Sequence, residues 1–231
     1  RLNTLKCDAE TLARTLPFPL VPTPFSPLSY YAPEAVRMAS LPLYHAGAFY
    51  SQEPSASSAV TLLDPQPGEK VLDLCAAPGG KSTQIAALTG DCGLLWSNEV
   101  VRSRASALAS NLERMGVKNA VVSSVYPEVL AEKLEGYFDR VLVDAPCSGE
   151  GMFRRDPQAI AEWSPAHVEA CAARQLAILG SAARCVREGG VLVYSTCTFS
   201  EEENEGVVRA FLRENPGFVL EKPDVAFGRP A

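Results

Sequence analysis

From residue 70 onward, short apolar runs alternate with longer stretches whose apolar positions recur at helical spacing. KVLDLC (70–75), GLLWSNE (93–99), NAVVSS (119–124), FDRVLVDAP (138–146) and VLVYSTC (191–197) have the length and composition of buried strands. GGKSTQIAALTG (79–90), VRSRASALASNLERMG (101–116), PEVLAEKLE (127–135) and SPAHVEACAARQLAILGSAARCVREGG (164–190) lie between them and read as helices. SEEENEGVVRAFLREN (200–215) reads as a further helix with Ser200 as its N-cap. Gly90, Gly116 and the Gly189–Gly190 pair mark helix ends, and Ser164-Pro165 marks a start. Strand–helix alternation with near-continuous apolar strands predicts an α/β fold: a doubly wound, Rossmann-like, mainly parallel sheet with helices on both faces.

The chain before residue 70 is organised differently. Residues 1–16 read as a short strand followed by a helix, and 17–33 (PFPLVPTPFSPLSYYAP) as an extended, proline-rich linker. This places a boundary there, with 1–33 as a separate segment and 34–231 as the main domain. Residues 34–52 show no clear period, and PSASSAVTLLD (54–64) reads as a helix.

Composition narrows the function classes. The 231 residues are 47% hydrophobic and 21% charged, enough for a substantial core. No run reaches the roughly 18 apolar residues of a membrane span. The formal net charge of −6 excludes a protein-wide basic coat, though not a local basic groove for nucleic acid. Seven cysteines occur without a CxxC pair or zinc-site spacing, so no metal is expected, and reduced thiols suit a cytoplasmic location. The first residue is Arg, which reads as a processed or truncated piece.

Parallel sheets bind ligands at the carboxyl ends of their strands. That rule gathers CAAPGGK, Glu99, DAPCSG and STC on one rim and makes Cys147 and Cys197 neighbours. VLDLCAAPGGKST (71–83) is strand, small-residue turn and helix; Ala76, Ala77, Gly79 and Gly80 permit close backbone approach to a ligand, at a helix N-terminus. It matches neither GxxxxGK[ST] nor GxGxxG, which disfavours nucleotide and NAD fingerprints. Glu99, ending the second strand, is placed to accept from ribose hydroxyls. A cofactor with a ribose and no pyrophosphate fits, namely S-adenosylmethionine. The competing reading is a tight structural turn beside a surface Glu.

With the thiol motifs added, the sequence closely resembles the RNA cytosine-5 methyltransferases of the Nop/Sun family, nearest the bacterial ribosomal RNA branch. DLCAAPGGKSTQ, NEVVRSRASALASNLERMG, DRVLVDAPCSGEGMFRRDP and YSTCTFSEEENE carry the resemblance, which reaches back through LYHAGAFYSQEPSAS (43–57) and covers roughly 40–215. The resemblance implies that Cys75, Ala76, Ala77, Pro78, Gly79, Gly80 and Lys81 cradle S-adenosylmethionine, that Glu99 holds its ribose with support from Arg104, and that Asp144 lines the cofactor and cytosine sites together. It makes Cys197 the nucleophile and Cys147 the second cysteine, which assists release. Residues 1–30 resemble the tail of a small N-terminal RNA-recognition-like domain. Two departures stand out: VVSSVYPE lacks the acid that family members carry after the third strand for the adenine ring, leaving Ser124 and Val125 there, and the chain stops at Ala231 before the family's closing strands, so the natural protein is expected to continue.

The chemistry explains the residue types. A thiolate added to carbon 6 of cytosine raises electron density at carbon 5, and it can leave again. A second ionisable group assists the departure. Spacing does not choose between the thiols; only the resemblance points to Cys197, whose pKa a helix starting near Ser200 would lower. Arg154 and Arg155 are candidate phosphate contacts beside a flipped or unpaired base, with an ordinary surface ion pair to Asp156 as the alternative. Arg102, Arg104, Arg114 and Lys118 either extend a basic rim or form the wet face of their helix. Cys7, Cys92, Cys171 and Cys185 read as small buried hydrophobes, and the acids of EEENE as first-turn helix residues. The expected partner is RNA, ribosomal ahead of transfer RNA, with the protein a monomer away from any membrane. The competing functions are a methyltransferase on a non-RNA substrate and a catalytically silent RNA-binding assembly factor.

Overall fold

A computed structural model describes residues 1–90, 92–225, 227 and 228. The N-terminal part contains α1 (Ala9–Thr15), two short strands β1 (Val21–Pro22) and β2 (Tyr30–Tyr31), and α2 (Pro42–His45). α3 (Ser58–Leu63) leads into β3 (Lys70–Asp73), α4 (Gly80–Thr89), β4 (Leu94–Asn98), α5 (Arg102–Met115), β5 (Ala120–Ser123), α6 (Pro127–Lys133) and β6 (Phe138–Asp144). α7 (Pro157–Glu162), α8 (Pro165–Cys185), β7 (Val186–Ser195) and α9 (Glu205–Glu214) complete the chain.

The five predicted strands form one sheet in the order β5-β4-β3-β6-β7, and every pair is parallel. The first strand of the sheet, β3, is therefore central. The chain runs outward through β4 and β5, then returns to the other side of β3 as β6 and β7. This reversal between β3 and β6 opens a crevice at their carboxyl ends.

Burial follows the pleat. Along β6, Val141 and Val143 face one apolar cluster with Phe138, Leu179 and Phe211, whereas Leu142 faces the opposite cluster with Val60, Ile85 and Leu108. Removing the Phe138 side chain, which is fully buried, would cost about 3–5 kcal/mol. A third cluster of Leu2, Leu12, Ala48 and Phe49 lies under the N-terminal part. Leu2 forms an isolated antiparallel bridge with Phe49, so the predicted first strand is reduced to one pair.

Four departures from the sequence reading have local causes. Within the proline-rich segment, Val21 pairs with Tyr31 and Pro22 with Tyr30, making a minimal hairpin where only extended chain was expected. α8 ends at Cys185, and Val186–Gly190 belongs to β7. Gly189 and Gly190 absorb the register shift between the Phe138 and Arg140 pairings, and a side chain at Gly190 would lie 2.7 Å from the Asp139 carbonyl oxygen. The last helix starts at Glu205 with Asn204 as N-cap, because residues 201–204 form a turn in which Ser200 Oγ accepts from the Glu203 N–H at 3.3 Å. Of the acids in EEENE, only Glu205 is in its first turn. Finally, Cys92 is exposed in the α4–β4 loop, at the end of the sheet away from the crevice, while Cys171 and Cys185 are buried as expected.

Candidate active site

The crevice is built by two strand ends. After Asp73, the chain turns through CAAPGGK into α4, with Gly79 as N-cap at φ +106°. A side chain on Gly79 would meet Leu108 Cδ1 at 3.1 Å, and one on Gly80 would meet Gln52 and Tyr50 at 3.2 and 3.3 Å. The small residues thus let the loop lie close to α5 and to the 50–52 segment, in addition to leaving room for a ligand. Across the switch point, Lys81 Nζ lies 2.6 Å from Asp144 Oδ2, and Ser195 Oγ donates to Asp144 Oδ1 at 2.7 Å. Asp144 thus ties α4, β6 and β7 together at the mouth of the sheet.

A cavity of about 240 Å³ opens here, lined by Tyr50, Ser51, Gln52, Ala56, Cys75, Ala76, Ala77, Pro78, Gly80, Lys81 and Asp144. Six of the seven predicted cradle residues face it. Gly79, Glu99 and Arg104 stand outside its lining. Glu99 is buried, its Oε1 accepts from the Val101 N–H at 2.9 Å, and its Oε2 lies 3.6 Å from Arg104 Nη1. Arg104 also donates to the Ala77 carbonyl at 3.1 Å, which braces the loop from behind. The surrounding field is acidic: burial first, then the carboxylates of Asp73, Asp144 and Glu99, pushes the Cys75 thiol up. A cationic sulfonium with hydroxyl and amino groups suits this donor set, so the residues present fit S-adenosylmethionine. Ser124, in the region of the missing acid, donates to the Val100 carbonyl at 3.1 Å.

Beside Asp144, the DAPCSG and STC loops meet. Cys147 Sγ and Cys197 Sγ are 3.1 Å apart. The loops are also joined by Ser148 Oγ to Thr198 Oγ1 at 3.0 Å, and Gly151 N–H donates to the Cys197 carbonyl at 2.8 Å. The two thiols differ electrostatically. Donation from the Cys147 thiol, aided by the Lys81 ammonium, lowers Cys197 to about 7 against burial and Asp144. Cys147 is raised, by its bond to Cys197 and then by burial. The Cys197 N–H does donate to Cys147 Sγ at 3.4 Å, which favours charge on Cys147. Against that contact stand the greater exposure of Cys197 and the Lys81 ammonium among the causes of its lowering, which favour negative charge on Cys197. The predicted helix effect plays no part, because α9 begins eight residues later.

Arg155 pairs with Glu53 at 2.5 Å rather than with Asp156, which caps α7 by accepting from Gln158 N–H at 3.0 Å. Arg154 is exposed. Arg114 is turned away from any basic rim: it stacks 4.4 Å from the Tyr44 ring and donates to the Tyr44 carbonyl. His45 Nε2 donates to the Ala39 carbonyl at 2.9 Å and orders a turn. Sequence reasoning assigned no site role to Tyr50, Ser51 and Gln52, which wall the cavity, because that stretch has no period to place it. Among the described residues there is no group of three or more His, Cys, Asp or Glu able to hold a metal, and no helix long and apolar enough to cross a membrane.

The chain as a whole is similar to known proteins. The family of 16S rRNA methyltransferase RsmB/F matches residues 60–227. The chain belongs to this family. The N-terminal domain of 16S rRNA methyltransferase RsmF matches residues 1–54. Among RsmB/F relatives, ribosomal RNA small subunit methyltransferase F of Erwinia tasmaniensis is 38% identical over 96% of this chain and 48% of its own length. That of Vibrio vulnificus is 42% identical over 90% of this chain and 46% of its own. The chain therefore spans about half the length of these relatives. Among solved structures, NSun6 from Pyrococcus horikoshii with SFG superimposes with a TM-score of 0.76 at 34% identity, over 84% of this chain and 49% of that one. A methyltransferase homolog protein from the same organism gives 0.83 at 32%, over 100% and 73%.

Proposed function

We propose that this RsmB/F chain carries the catalytic site for methylation of carbon 5 of a cytosine in RNA, with ribosomal RNA as the substrate. The observation that carries the reading is the 3.1 Å approach of Cys147 and Cys197 beside the Lys81–Asp144 pair. Two apposed thiols of opposite shift serve little purpose in methyl transfer to oxygen or nitrogen, whereas an adduct-forming reaction uses both.

Bound S-adenosylmethionine supplies the electrophilic methyl group. Cys75, Ala76, Ala77, Pro78, Gly80, Lys81 and Asp144 would hold it against the crevice wall, and Glu99 and Arg104 brace the loop. Cys197, as thiolate, adds to carbon 6 of the cytosine, and its electron pair moves into the ring toward carbon 5 and the N3 edge. Asp144 faces that edge and stabilises its protonated or hydrogen-bonded form, which makes carbon 6 more electrophilic. Once carbon 5 carries the methyl group, its proton departs and the carbon–sulfur bond breaks. Cys147 passes its thiol hydrogen to the departing Cys197 sulfur and takes the carbon 5 proton in its place, directly or through water, and one proton leaves to solvent as Cys197 returns to thiolate. Arg154, exposed beside the pocket, meets the phosphates of an unpaired or extruded nucleotide, and Arg155 is held by Glu53.

The test is adduct trapping in the full-length protein with RNA carrying 5-fluorocytosine, alongside tritium transfer from labelled S-adenosylmethionine. Wild-type protein should form a denaturant-stable complex that Cys197→Ala abolishes. An adduct retained by Cys197→Ala would reverse the thiol assignment. Transfer to tRNA alone, or to no RNA, would move the substrate elsewhere.

A further inference from the structure

Behind the thiols lies a buried polar pair that the mechanism above does not use. Glu203 and Gln175 are both fully buried. Glu203 sits on the loop that carries Cys197, and Gln175 projects from the middle of α8. Glu203 Oε2 accepts from the Ser148 N–H at 3.0 Å and from Gln175 Nε2 at 2.8 Å, and Gln175 Nε2 also donates to the Pro146 carbonyl at 3.0 Å. Pro146 and Ser148 are the two neighbours of Cys147. The Glu203 carbonyl accepts from Tyr194 Oη at 2.6 Å, which fixes the carboxylate-bearing residue to β7. Glu203 Oε1 and Gln175 Oε1 have no partner among the described residues, so the pair's side-chain bonds go only to the flanks of Cys147 and to each other.

Burying a carboxylate costs several kcal/mol, and an apolar plug would fill the same space more cheaply. What a plug lacks is the geometric tie. One carboxylate, belonging to the Cys197 loop, grips the backbone on the far side of Cys147, while Gln175 grips it on the near side.

We infer that Glu203 and Gln175 are positioning residues that hold the Cys147 thiol against Cys197, and that they act more in the release step than in adduct formation. The role rests on the two-thiol reading above. The Cys197 loop also has ties that do not run through the clamp: Thr196 Oγ1 donates to Asn204 Oδ1 at 2.7 Å, and Asn204 Nδ2 donates to the Thr198 carbonyl at 3.3 Å. Loosening the clamp therefore moves Cys147 more than the attacking sulfur. A displacement of this kind costs about 10²-fold in the step that depends on it.

Two measurements on the full-length protein separate this role from general support of the fold. The first needs no substrate: diamide takes two electrons and two protons from the Cys147 and Cys197 thiols and closes a disulfide, followed by alkylation and mass mapping. Glu203→Ala and Gln175→Leu should slow that closure at least about tenfold, whereas Glu203→Gln, which keeps an acceptor for both donors, should close at the wild-type rate. The second is single-turnover reaction with RNA. Glu203→Ala and Gln175→Leu should slow release of the protein–RNA adduct more than its formation and so accumulate it, as Cys147→Ala should, with Glu203→Gln resolving it normally. Unchanged diamide closure in both variants would overturn the clamp. So would adduct formation and release falling in equal proportion. Normal slowing of closure with no adduct in the wild type would leave the clamp standing and overturn the methylation reading instead. If Glu203→Ala does not fold, Gln175→Leu decides the matter.

Discussion

Cys197 and Cys147 stand fifty residues apart in the chain and 3.1 Å apart in space, with their sulfurs shifted in opposite directions. The asymmetry has a structural source. Lys81 reaches over the crevice from α4 to Asp144, and its ammonium acts on Cys197, while the Cys147 thiol donates to the same sulfur. One proton on Cys147 and one negative charge on Cys197 is the arrangement a nucleophile and its resolving partner need at neutral pH.

The titration of Cys197 tests this arrangement. Its alkylation by iodoacetamide, followed residue by residue by mass spectrometry, should rise with pH around a midpoint of about 7. Cys147→Ala removes the donor and Lys81→Met removes the cation, so each should move the midpoint upward. At pH 7 the first unit of that shift slows alkylation about fivefold, and each further unit about tenfold. A midpoint unmoved by both substitutions would mean that neither neighbour stabilises the thiolate.

The sheet was legible because parallel strands are buried on both faces: the run Val141–Leu142–Val143 is apolar throughout, feeding opposite clusters in turn. Once the strands were placed, the carboxyl-end rule alone brought Cys147 beside Cys197. What escaped depended on contacts remote in sequence. Gly189–Gly190 reads as a helix stop but serves as a bulge, because β6 demands a register shift there. Glu203 reads as one of several acids in the first turn of a helix, and only the fold shows it beneath Ser148. Tyr50 to Gln52 lie in a stretch without periodicity, so nothing in the local pattern marks them as the cavity wall.

Glycine substitutions separate stability from site geometry. Gly79 adopts φ +106° with Leu108 3.1 Å from its would-be Cβ, whereas Gly68 adopts φ +91° in open space. Gly68→Ala should lose about 1–2 kcal/mol from the left-handed backbone alone, and Gly79→Ala should lose more, with weaker S-adenosylmethionine binding. Thermal melts should show this as a drop of about 2–4 °C per kcal/mol. Gly151 is a different case. Its backbone is not left-handed, yet a Cβ would lie 2.5 Å from the Cys197 carbonyl oxygen. Gly151→Ala should therefore force the Cys197 loop to move, which lowers the melting temperature and cuts adduct formation by about 10²-fold. An active Gly151→Ala enzyme would show that the Cys197 loop can shift without consequence.

Asp73 gives the last prediction, on stability against pH. It lies fully buried at the end of β3, accepts from Ser82 Oγ at 2.7 Å, and has no partner for Oδ1 among the described residues. Burial raises its carboxyl to about 7, with Asp144 adding to the rise and the Ser82 bond opposing it. An unfolded Asp ionises near 3.9, so between about pH 4 and pH 7 the folded state holds a proton that the unfolded state has released. Stability from this group consequently falls as pH rises through that window and is level above it. Asp73→Asn abolishes the titration while keeping an acceptor for Ser82. The melting temperature of the variant relative to wild type should therefore increase from pH 5 to pH 8, measured by calorimetry at matched ionic strength. A difference that stays constant or shrinks over that range would show that the buried carboxyl is already ionised at pH 5.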